Sequence, residues 1–414
     1  MSSNNPGGKG DLKQMALPLQ FALFEIDEPD DAKRTTHFVG LYDVAPKWVF
    51  FASDVARSNG RKRSVGAGEV ADSDAGKPRF LRQVKREFVF NDKTYSLKIL
   101  PARIERRVKD GGTEVIEEID TFPGEKEQVV EEVIRRLAAE KARLSTGEKD
   151  SIVFKFTLYE VLQELRRVKH TLSLPELKEA LLVLRRSTIV IAEKGGKNAL
   201  LDSSVFPQLW MRNHDVNAGG SPDENGRADV ETAVQFNWMV ENTIRSVEQQ
   251  RISYEWLMRI ENPFSRWLFK RVAFTLLQRH HQDRSSIEIT AREIMRDSGM
   301  TEWARWSNML RWISDIVDVL KKVGALAEVE REVVKVGKRH DDIIFRLRPS
   351  DLFLHQIAEA HRVSAWNRRE IARVTAAEQA PGNFVRVDAK DLADTRRRRK
   401  AALTQGVSQN TAET

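Results

Sequence analysis

The chain has 414 residues, of which 41% are hydrophobic, and this length and composition predict two or three folded domains and exclude a wholly disordered protein. Its Lys and Arg residues number 68 against 61 Asp and Glu residues, and the resulting net charge of +7 favours a polyanionic partner. The lack of cysteine excludes disulfides, cysteine-ligated zinc fingers and iron-sulfur clusters.

Residues 1–35 are predicted to be a flexible N-terminal extension that contains one short apolar segment. They lack the apolar core of a signal peptide, and no apolar run in the chain approaches the roughly 20 residues that span a bilayer. We therefore expect a cytoplasmic protein without a membrane partner.

Residues 36–212 are predicted to form the first domain, with a polar, glycine-rich loop insertion at residues 54–79. Three strand-like runs from Arg86 onward predict one small antiparallel sheet, because turn residues separate them. A helix with one apolar stripe is predicted after Pro123.

The stretch from Asp150 to Lys194 is the most informative part of this domain. Its apolar residues recur at three- and four-residue steps in two runs that are separated by Ser173 and Pro175, which predicts helix, turn and helix. A β-branched run, two glycines and a further apolar run then predict a strand, a tight turn and a returning strand. Two helices followed by a β-hairpin form the winged-helix pattern.

The second of these helices carries three cations on or near the face opposite its leucines, namely Lys178, Arg185 and Arg186. A helix-turn-helix places its second helix in the major groove, so these cations are candidate DNA-binding residues. A helical hairpin with a solvated charged face explains the same pattern, and this stretch alone leaves both interpretations open.

Residues 213–230 are predicted to be a hinge or loop, and residues 231–377 a second domain in which the pattern returns. A short helix ends at Gly299, a long helix is capped by Thr301 and ends at Gly324, and two alternating runs follow. The predicted fold class is α+β, with two tandem winged-helix domains.

Candidate DNA-binding residues in the second domain lie on the long helix and at the tip of its hairpin. The predicted buried stripe of the helix consists of Trp303, Trp306, Leu310, Ile313, Val317 and Leu320. The candidates outside this stripe are Arg305, Asn308, Arg311 and Lys321, with Lys338 and Arg339 at the hairpin tip. Asn and Arg suit bidentate contacts with adenine and guanine, whereas cations at the tip suit phosphate.

Residues 378–414 are predicted to be a basic polar tail, since Arg396 to Lys400 are five consecutive cations. Such a run strengthens binding to any polyanion without reading its sequence. A solubilising tail explains the same run.

The segments LYDVAPKWVF, LPARIERRVKDGGTE, FPGEKEQVVEEVIRRLA and FTLYEVLQELRRVKHTLSLPELKEALLVLRRSTIVI occur in an order and spacing that resemble the plasmid replication initiator protein A family. The resemblance runs from about Phe38 to Leu354. It implies two winged-helix domains that bind direct repeats (iterons) in double-stranded origin DNA and promote opening of the adjacent duplex. The implied partners are a host replication initiator, a replicative helicase and a second copy of the chain. The implied DNA-reading helices span Leu174 to Ser187 and Thr301 to Val323.

Two alternatives concern other classes of protein. A rolling-circle nicking enzyme needs a Tyr nucleophile and a metal held by two His that flank an apolar residue, whereas His280 and His281 are adjacent here. No GxxxxGK[ST] loop for ATP occurs either, so we expect no catalytic residue, no metal and no cofactor. A winged-helix transcriptional regulator of plasmid genes stays open, because it would use the same two domains.

Overall fold

The structure is a computed structural model. It describes residues 35–50, 81–110, 113–140, 144–146, 152–196, 199–211, 231–245, 250–279, 285–301, 303, 305–337 and 339–362, which all belong to one compact unit. The short apolar N-terminal segment, the loop insertion, the hinge and the basic tail lie outside these residues. The domain boundaries drawn at those segments therefore stay predictions.

The described residues contain both helices and strands. They are α1 (Gly40–Val44), α2 (Glu125–Glu140), α3 (Leu158–Arg167), α4 (Leu174–Arg186), α5 (Trp238–Arg245), α6 (Tyr254–Arg259), α7 (Pro263–Gln278), α8 (Ala291–Ser298) and α9 (Trp306–Lys322), and residues 351–362 are also helical. The strands are β1 (Thr35–Phe38), β2 (Val84–Phe90), β3 (Lys93–Leu100), β4 (Ala102–Asp110), β5 (Thr113–Thr121), β6 (Leu144–Thr146), β7 (Ile152–Thr157), β8 (Thr188–Glu193), β9 (Ala199–Ser203), β10 (Gln208–Trp210), β11 (Glu231–Gln235), β12 (Gln250–Ser253), β13 (Ile287–Thr290), β14 (Leu326–Val336) and β15 (Arg339–Pro349). The α+β class predicted from the sequence is confirmed.

The first winged-helix unit, from α2 to β9, contains the predicted helix pair and wing. Helix α3 begins with a capping box between Thr157 and Glu160, and α4 begins with one between Ser173 and Glu176. Strands β8 and β9 then pair in antiparallel orientation as the wing. Local sequence signals therefore place both helices and the wing of this unit correctly.

The sheet predicted before α2 is divided between two sheets. Strand β3 pairs with β2 on one side and with β8 of the wing on the other, where Leu97 lies opposite Ile191. The wing thereby becomes part of a four-stranded sheet of order β2-β3-β8-β9, whereas β4 and β5 form a separate two-stranded hairpin. The prediction of one small sheet is wrong in this respect, because the pairing of β3 with β8 joins residues about a hundred positions apart.

The second winged-helix unit, from α7 to β15, has the simpler topology. Its three-stranded sheet has the order β13-β15-β14, with α8 and α9 between the first strand and the wing. Gly299 ends α8 at φ +72°, and a Cβ at this position would lie 2.7 Å from Nη1 of Arg86. Glycine is favoured here by the left-handed backbone and by the close approach of the Arg86 side chain from β2.

A buried ionic network joins α1, α2 and α7. The Asp43 carboxylate accepts hydrogen bonds from Arg135 Nη1 at 2.7 Å and Nη2 at 2.9 Å, and from Lys270 Nζ at 2.9 Å. Lys270 also pairs with Glu132, and Lys47 Nζ lies 3.5 Å from a carboxylate oxygen of Glu131. These six charged side chains are all buried, and three of each sign balance one another.

Burial and pairing shift the pKa values in this network. Burial opposes ionisation of Asp43, but the charges of Arg135, Lys270 and Lys47 hold the pKa of that carboxyl well below its usual range. Burial lowers the pKa of Lys47 to about 8, although Glu131 and Asp43 counteract the shift. The network is therefore an electrostatic joint that fixes α1 and α2 against α7.

Two further strand pairings join distant parts of the chain. Strand β1 pairs with β12, and β11 pairs with β7 of the first unit. Strand β11, which follows the predicted hinge, thus belongs to the same sheet as β7, which precedes the hinge.

Candidate nucleic-acid interface

Helix α9 is the second helix of the second winged-helix unit. Its first helical residue is Trp306, and Arg305 is the N-cap without a side-chain hydrogen bond. The predicted cap at Thr301 and the predicted burial of Trp303 are therefore wrong. Trp303 precedes the helix, stacks on Trp312 with ring centroids 5.1 Å apart and is 40% exposed.

The apolar residues of α9 occupy one face and leave the other to solvent. The buried side chains are Met309, Leu310, Ile313, Ile316, Val317 and Leu320. Asn308, Arg311 and Asp315 are exposed, and their spacing of three and four residues places them on one face of the helix. The described residues offer these three side chains no hydrogen bond or ion pair. They are therefore available to an external partner.

The other two predicted residues lie at the two ends of α9. Arg305 lies at the N-terminal end and Lys321 in the last turn, and both are exposed. A helix with exposed Arg and Asn side chains has the donors that read guanine and adenine edges in a major groove. The structure thus brings four of the nine predicted residues together on one exposed helix.

Contacts near its tip and in the middle of β14 hold the wing of the second unit against the helix pair. Trp306 Nε1 donates a hydrogen bond to the Asp341 carbonyl at 2.7 Å, and Arg292 lies 5.0 Å from the Trp306 ring centroid and pairs with the Asp341 carboxylate. Arg331 of β14 pairs with Asp318 of α9. These contacts fix the position of the wing relative to the exposed face of α9.

The tip of this wing carries two of the predicted residues. Lys338 and the side chain of Arg339 lie outside the described part of the chain, so their contact with phosphate stays a prediction. Val336, beside the tip, is exposed.

Helix α4, the matching helix of the first unit, is buried over most of its surface. Its buried residues are Leu177, Lys178, Ala180, Leu181, Leu182, Val183 and Leu184. The predicted exposure of Lys178 is wrong, since this residue is 4% exposed. Lys178 lies one turn before Leu182, and both belong to a face that tertiary contacts cover.

The β4–β5 hairpin is one of the elements that cover α4. Arg106 of β4 makes a bidentate pair with Glu179, at 2.6 Å from Nη2 and 3.2 Å from Nε. Arg186 Nη1 donates to the Arg103 carbonyl at 2.9 Å, and both Arg185 and Arg186 are exposed. Of the three cations predicted on this helix, one is buried and two are exposed, and one of the exposed arginines is bonded to the hairpin.

Asp315 also lies on the exposed face of α9, although it is not among the residues predicted from the sequence. It follows Asn308 by seven positions and Arg311 by four, a spacing that places all three on one side of a helix. The same spacing can be read from the sequence, but the residues predicted on this helix are all cations or amides, and Asp315 is a carboxylate.

The described residues contain no cluster of His, Asp or Glu that is suited to hold a metal ion. No helix among them is long and apolar enough to cross a membrane.

Comparison with known proteins gives matches only among solved structures. No family model matches the chain, and no curated protein matches it. The Pi initiator protein in complex with iteron DNA is 15% identical, with a TM-score of 0.38, over 55% of this chain and 93% of that chain. Domains 2 and 3 of RctB, in two structures, are 7% and 5% identical with TM-scores of 0.38 and 0.34, each over 66% of this chain and 94% of that chain. All three TM-scores lie below 0.5, so what the chain does is inferred from its own residues.

Proposed function

We propose that this protein is a plasmid replication initiator that binds repeated sequences in double-stranded origin DNA, with α9 as its main base-reading helix. The observation that carries the proposal is the exposed face of α9, where Asn308 and Arg311 have no partner among the described residues. The resemblance of the sequence to plasmid initiators supplies the biological setting.

The chemistry of this face fits the major groove. An α-helix fits into the groove, where a guanidinium donates to O6 and N7 of guanine and a carboxamide pairs with N6 and N7 of adenine. Side chains that are already free of internal bonds lose none when they bind DNA. Asn308 and Arg311 can therefore contact base edges without breaking a bond within the described residues.

The first unit has a different role in this proposal. With Lys178 buried and Nη1 of Arg186 bonded to the hairpin, Arg185 is the predicted cation of α4 whose side chain has no partner among the described residues. Exposed arginines at the end of this helix suit phosphate contacts, which add affinity and no sequence preference. We infer that the first unit positions the chain on DNA while the second unit reads bases.

Origin opening, recruitment of a host initiator and a replicative helicase, and self-association belong to the proposal through the sequence resemblance alone. They require binding energy and no covalent step, in keeping with the expectation that the protein is not an enzyme. If the protein instead bound an operator as a dimer, the same residues would contact DNA and the protein would act as a repressor.

The test is binding of the full chain to direct repeats from its own plasmid origin, compared with scrambled duplex of equal length, at about 50 and 200 mM salt. We expect a preference for the repeats that persists at the higher salt. Equal affinities that collapse with salt would contradict the proposal, and selection of an inverted repeat over a promoter would favour the regulator instead.

Substitutions in α9 test whether this helix makes the base contacts. Asn308→Ala and Arg311→Ala should each reduce discrimination at one base pair by about 1 to 3 kcal/mol. Arg348→Ala is the matched control, because Arg348 is an exposed cation of the same unit that pairs with Glu328 at the base of the wing.

A further inference from the structure

Asp315 is an unpartnered carboxylate in the middle of the exposed face of α9. Arg311 lies one turn before it and Lys322 two turns after it, and all three are exposed. The next carboxylate of the helix, Asp318, is engaged by Arg331 of the wing. The two carboxylates of one helix therefore differ in that only Asp318 has a partner within the described residues.

A carboxylate on a DNA-facing helix needs a specific partner. Phosphates repel it, so it weakens binding to every duplex unless it meets a hydrogen-bond donor. An ionised carboxylate can only accept hydrogen bonds. In the major groove the donors are the amino groups of cytosine and adenine, whereas guanine and thymine present acceptors.

The two possible bases differ in what lies beside the donor. Adenine presents the acceptor N7 next to its N6 amino group, and this acceptor repels a carboxylate. Cytosine presents its N4 amino group without a neighbouring acceptor of its own, which makes it the better partner.

We propose that Asp315 is a specificity-determining residue that accepts a hydrogen bond from the N4 amino group of a cytosine and rejects duplexes that lack it. This inference rests on the proposed function, since it assigns a base to the same helix face. Asp315 follows Asn308 by seven residues, or roughly 10 Å of helix at 1.5 Å per residue. The cytosine should therefore lie about three base pairs from the base that Asn308 contacts, at 3.4 Å per base pair.

The experiment selects duplexes from a library with about 20 randomised base pairs, two helical turns, using the full-length wild-type chain. Each base pair of the selected sequence is then replaced in turn, and binding is measured for wild type, Asp315→Asn and Asp318→Asn. Asp318→Asn is the matched control, because it removes the same charge from the same helix at a carboxylate with an internal partner.

We expect wild type to lose about tenfold in affinity when one particular cytosine is replaced. Asp315→Asn should relax that preference alone, because its amide group can also donate to guanine or pair with adenine, whereas a carboxylate only accepts. It should bind scrambled duplex at least as tightly as wild type, because a negative charge that phosphates repel has been removed. Asp318→Asn should keep the preference.

Three results would overturn the assignment: an unchanged preference in Asp315→Asn at every base pair, loss of the same preference in Asp318→Asn, or adenine at the pair that Asp315 reads. If wild type selects no sequence at all, the proposed function itself fails. That outcome is distinct from a wild type that selects a sequence which Asp315→Asn reads equally well.

Discussion

The two winged-helix units share one order of elements but differ in what surrounds their second helix. In α9 the apolar residues are confined to one face, and the opposite face is exposed. In α4 the run from Leu181 to Leu184 turns leucine and valine side chains to every side, and all four residues are buried. A helix that is apolar all round needs partners on all sides, so the same motif gives an exposed helix in one unit and a covered one in the other.

The β4–β5 hairpin packs on α4 for a physical reason. An isolated two-stranded hairpin is marginally stable in water, so β4 and β5 need a surface to pack on. The ion pair of Arg106 with Glu179 and the bond of Arg186 to Arg103 supply contacts on that surface. Hairpin and helix therefore stabilise each other, at the expense of access to α4.

The largest expected effect concerns the joint that holds both units together. Asp43→Asn should reduce the free energy of unfolding by about 3 to 5 kcal/mol, because Arg135 and Lys270 would keep buried charges without their shared carboxylate. Chemical denaturation monitored by circular dichroism measures the loss. The control Glu288→Gln breaks an exposed ion pair with Arg346 and should cost at most about 1 kcal/mol. Equal losses in the two variants would contradict the role assigned to the joint.

The pH dependence of stability provides a second test of the role of Asp43. The folded pKa of Asp43 lies below the unfolded value of about 3.9, so the unfolded state binds more protons as pH falls. Its stabilising contribution is full above that value and is lost as the pH drops below it. Asp43→Asn should therefore show a weaker decline of stability than wild type between about pH 4 and pH 2. Parallel curves for the two proteins would show that Asp43 does not carry this dependence.

The second effect compares the exposed arginines of α9 and α4. Arg311→Ala should reduce discrimination at one base pair by about 1 to 3 kcal/mol. Arg185→Ala should weaken repeats and scrambled duplex alike and reduce the slope of binding against salt by about one. Binding titrations at several salt concentrations measure both quantities. A base-specific defect in Arg185→Ala would show that α4 reads sequence despite its cover.

A smaller effect is expected where the β4–β5 hairpin packs on α4. Glu179→Gln removes the partner of Arg106 and should cost about 0.2 to 1 kcal/mol, since Arg106 is largely exposed. Amide hydrogen exchange in β4 and β5 should become faster, whereas exchange in the β14–β15 wing should not change. Unaltered exchange in β4 and β5 would mean that other contacts hold the hairpin in place.

The smallest effect is expected at Lys178. Because its side chain is buried, Lys178→Met should change the affinity for repeats by less than about twofold, or roughly 0.4 kcal/mol. Titration with the repeat duplex measures this change, with Arg311→Ala as the positive control. A large loss in Lys178→Met with unchanged stability would place Lys178 at the DNA and contradict the covered state of α4.

Local signals in the sequence predicted much of this architecture. The break at Ser173 and Pro175, the glycine after α8 and the three- and four-residue periodicity all act within a few positions, and the helices of both units follow them. The start of α9 was misplaced because Thr301 resembles a cap, whereas Arg305 precedes the helix without any capping hydrogen bond.

Exposure could not be predicted in the same way. The burial of Lys178 depends on tertiary contacts of α4 with elements that include β4, about seventy residues earlier in the chain, and no pattern within the helix records those contacts. The joining of β3 to the wing and the pairing of Asp43 with Arg135 and Lys270 are also long-range. Such contacts require the three-dimensional arrangement, whereas the free face of α9 followed directly from its own periodicity.

The ionic network has a consequence for dividing this protein. A cut between residues 213 and 230 would divide the six charges of the buried network. The N-terminal half would keep its three carboxylates with only two of its cations, because the third cation, Lys270, lies in the other half. Strand β11 would leave with Lys270, although its partner β7 stays behind. Each half would expose a charge and a strand edge that only the other can satisfy. The two halves, produced as separate polypeptides, should therefore recognise each other and reassemble.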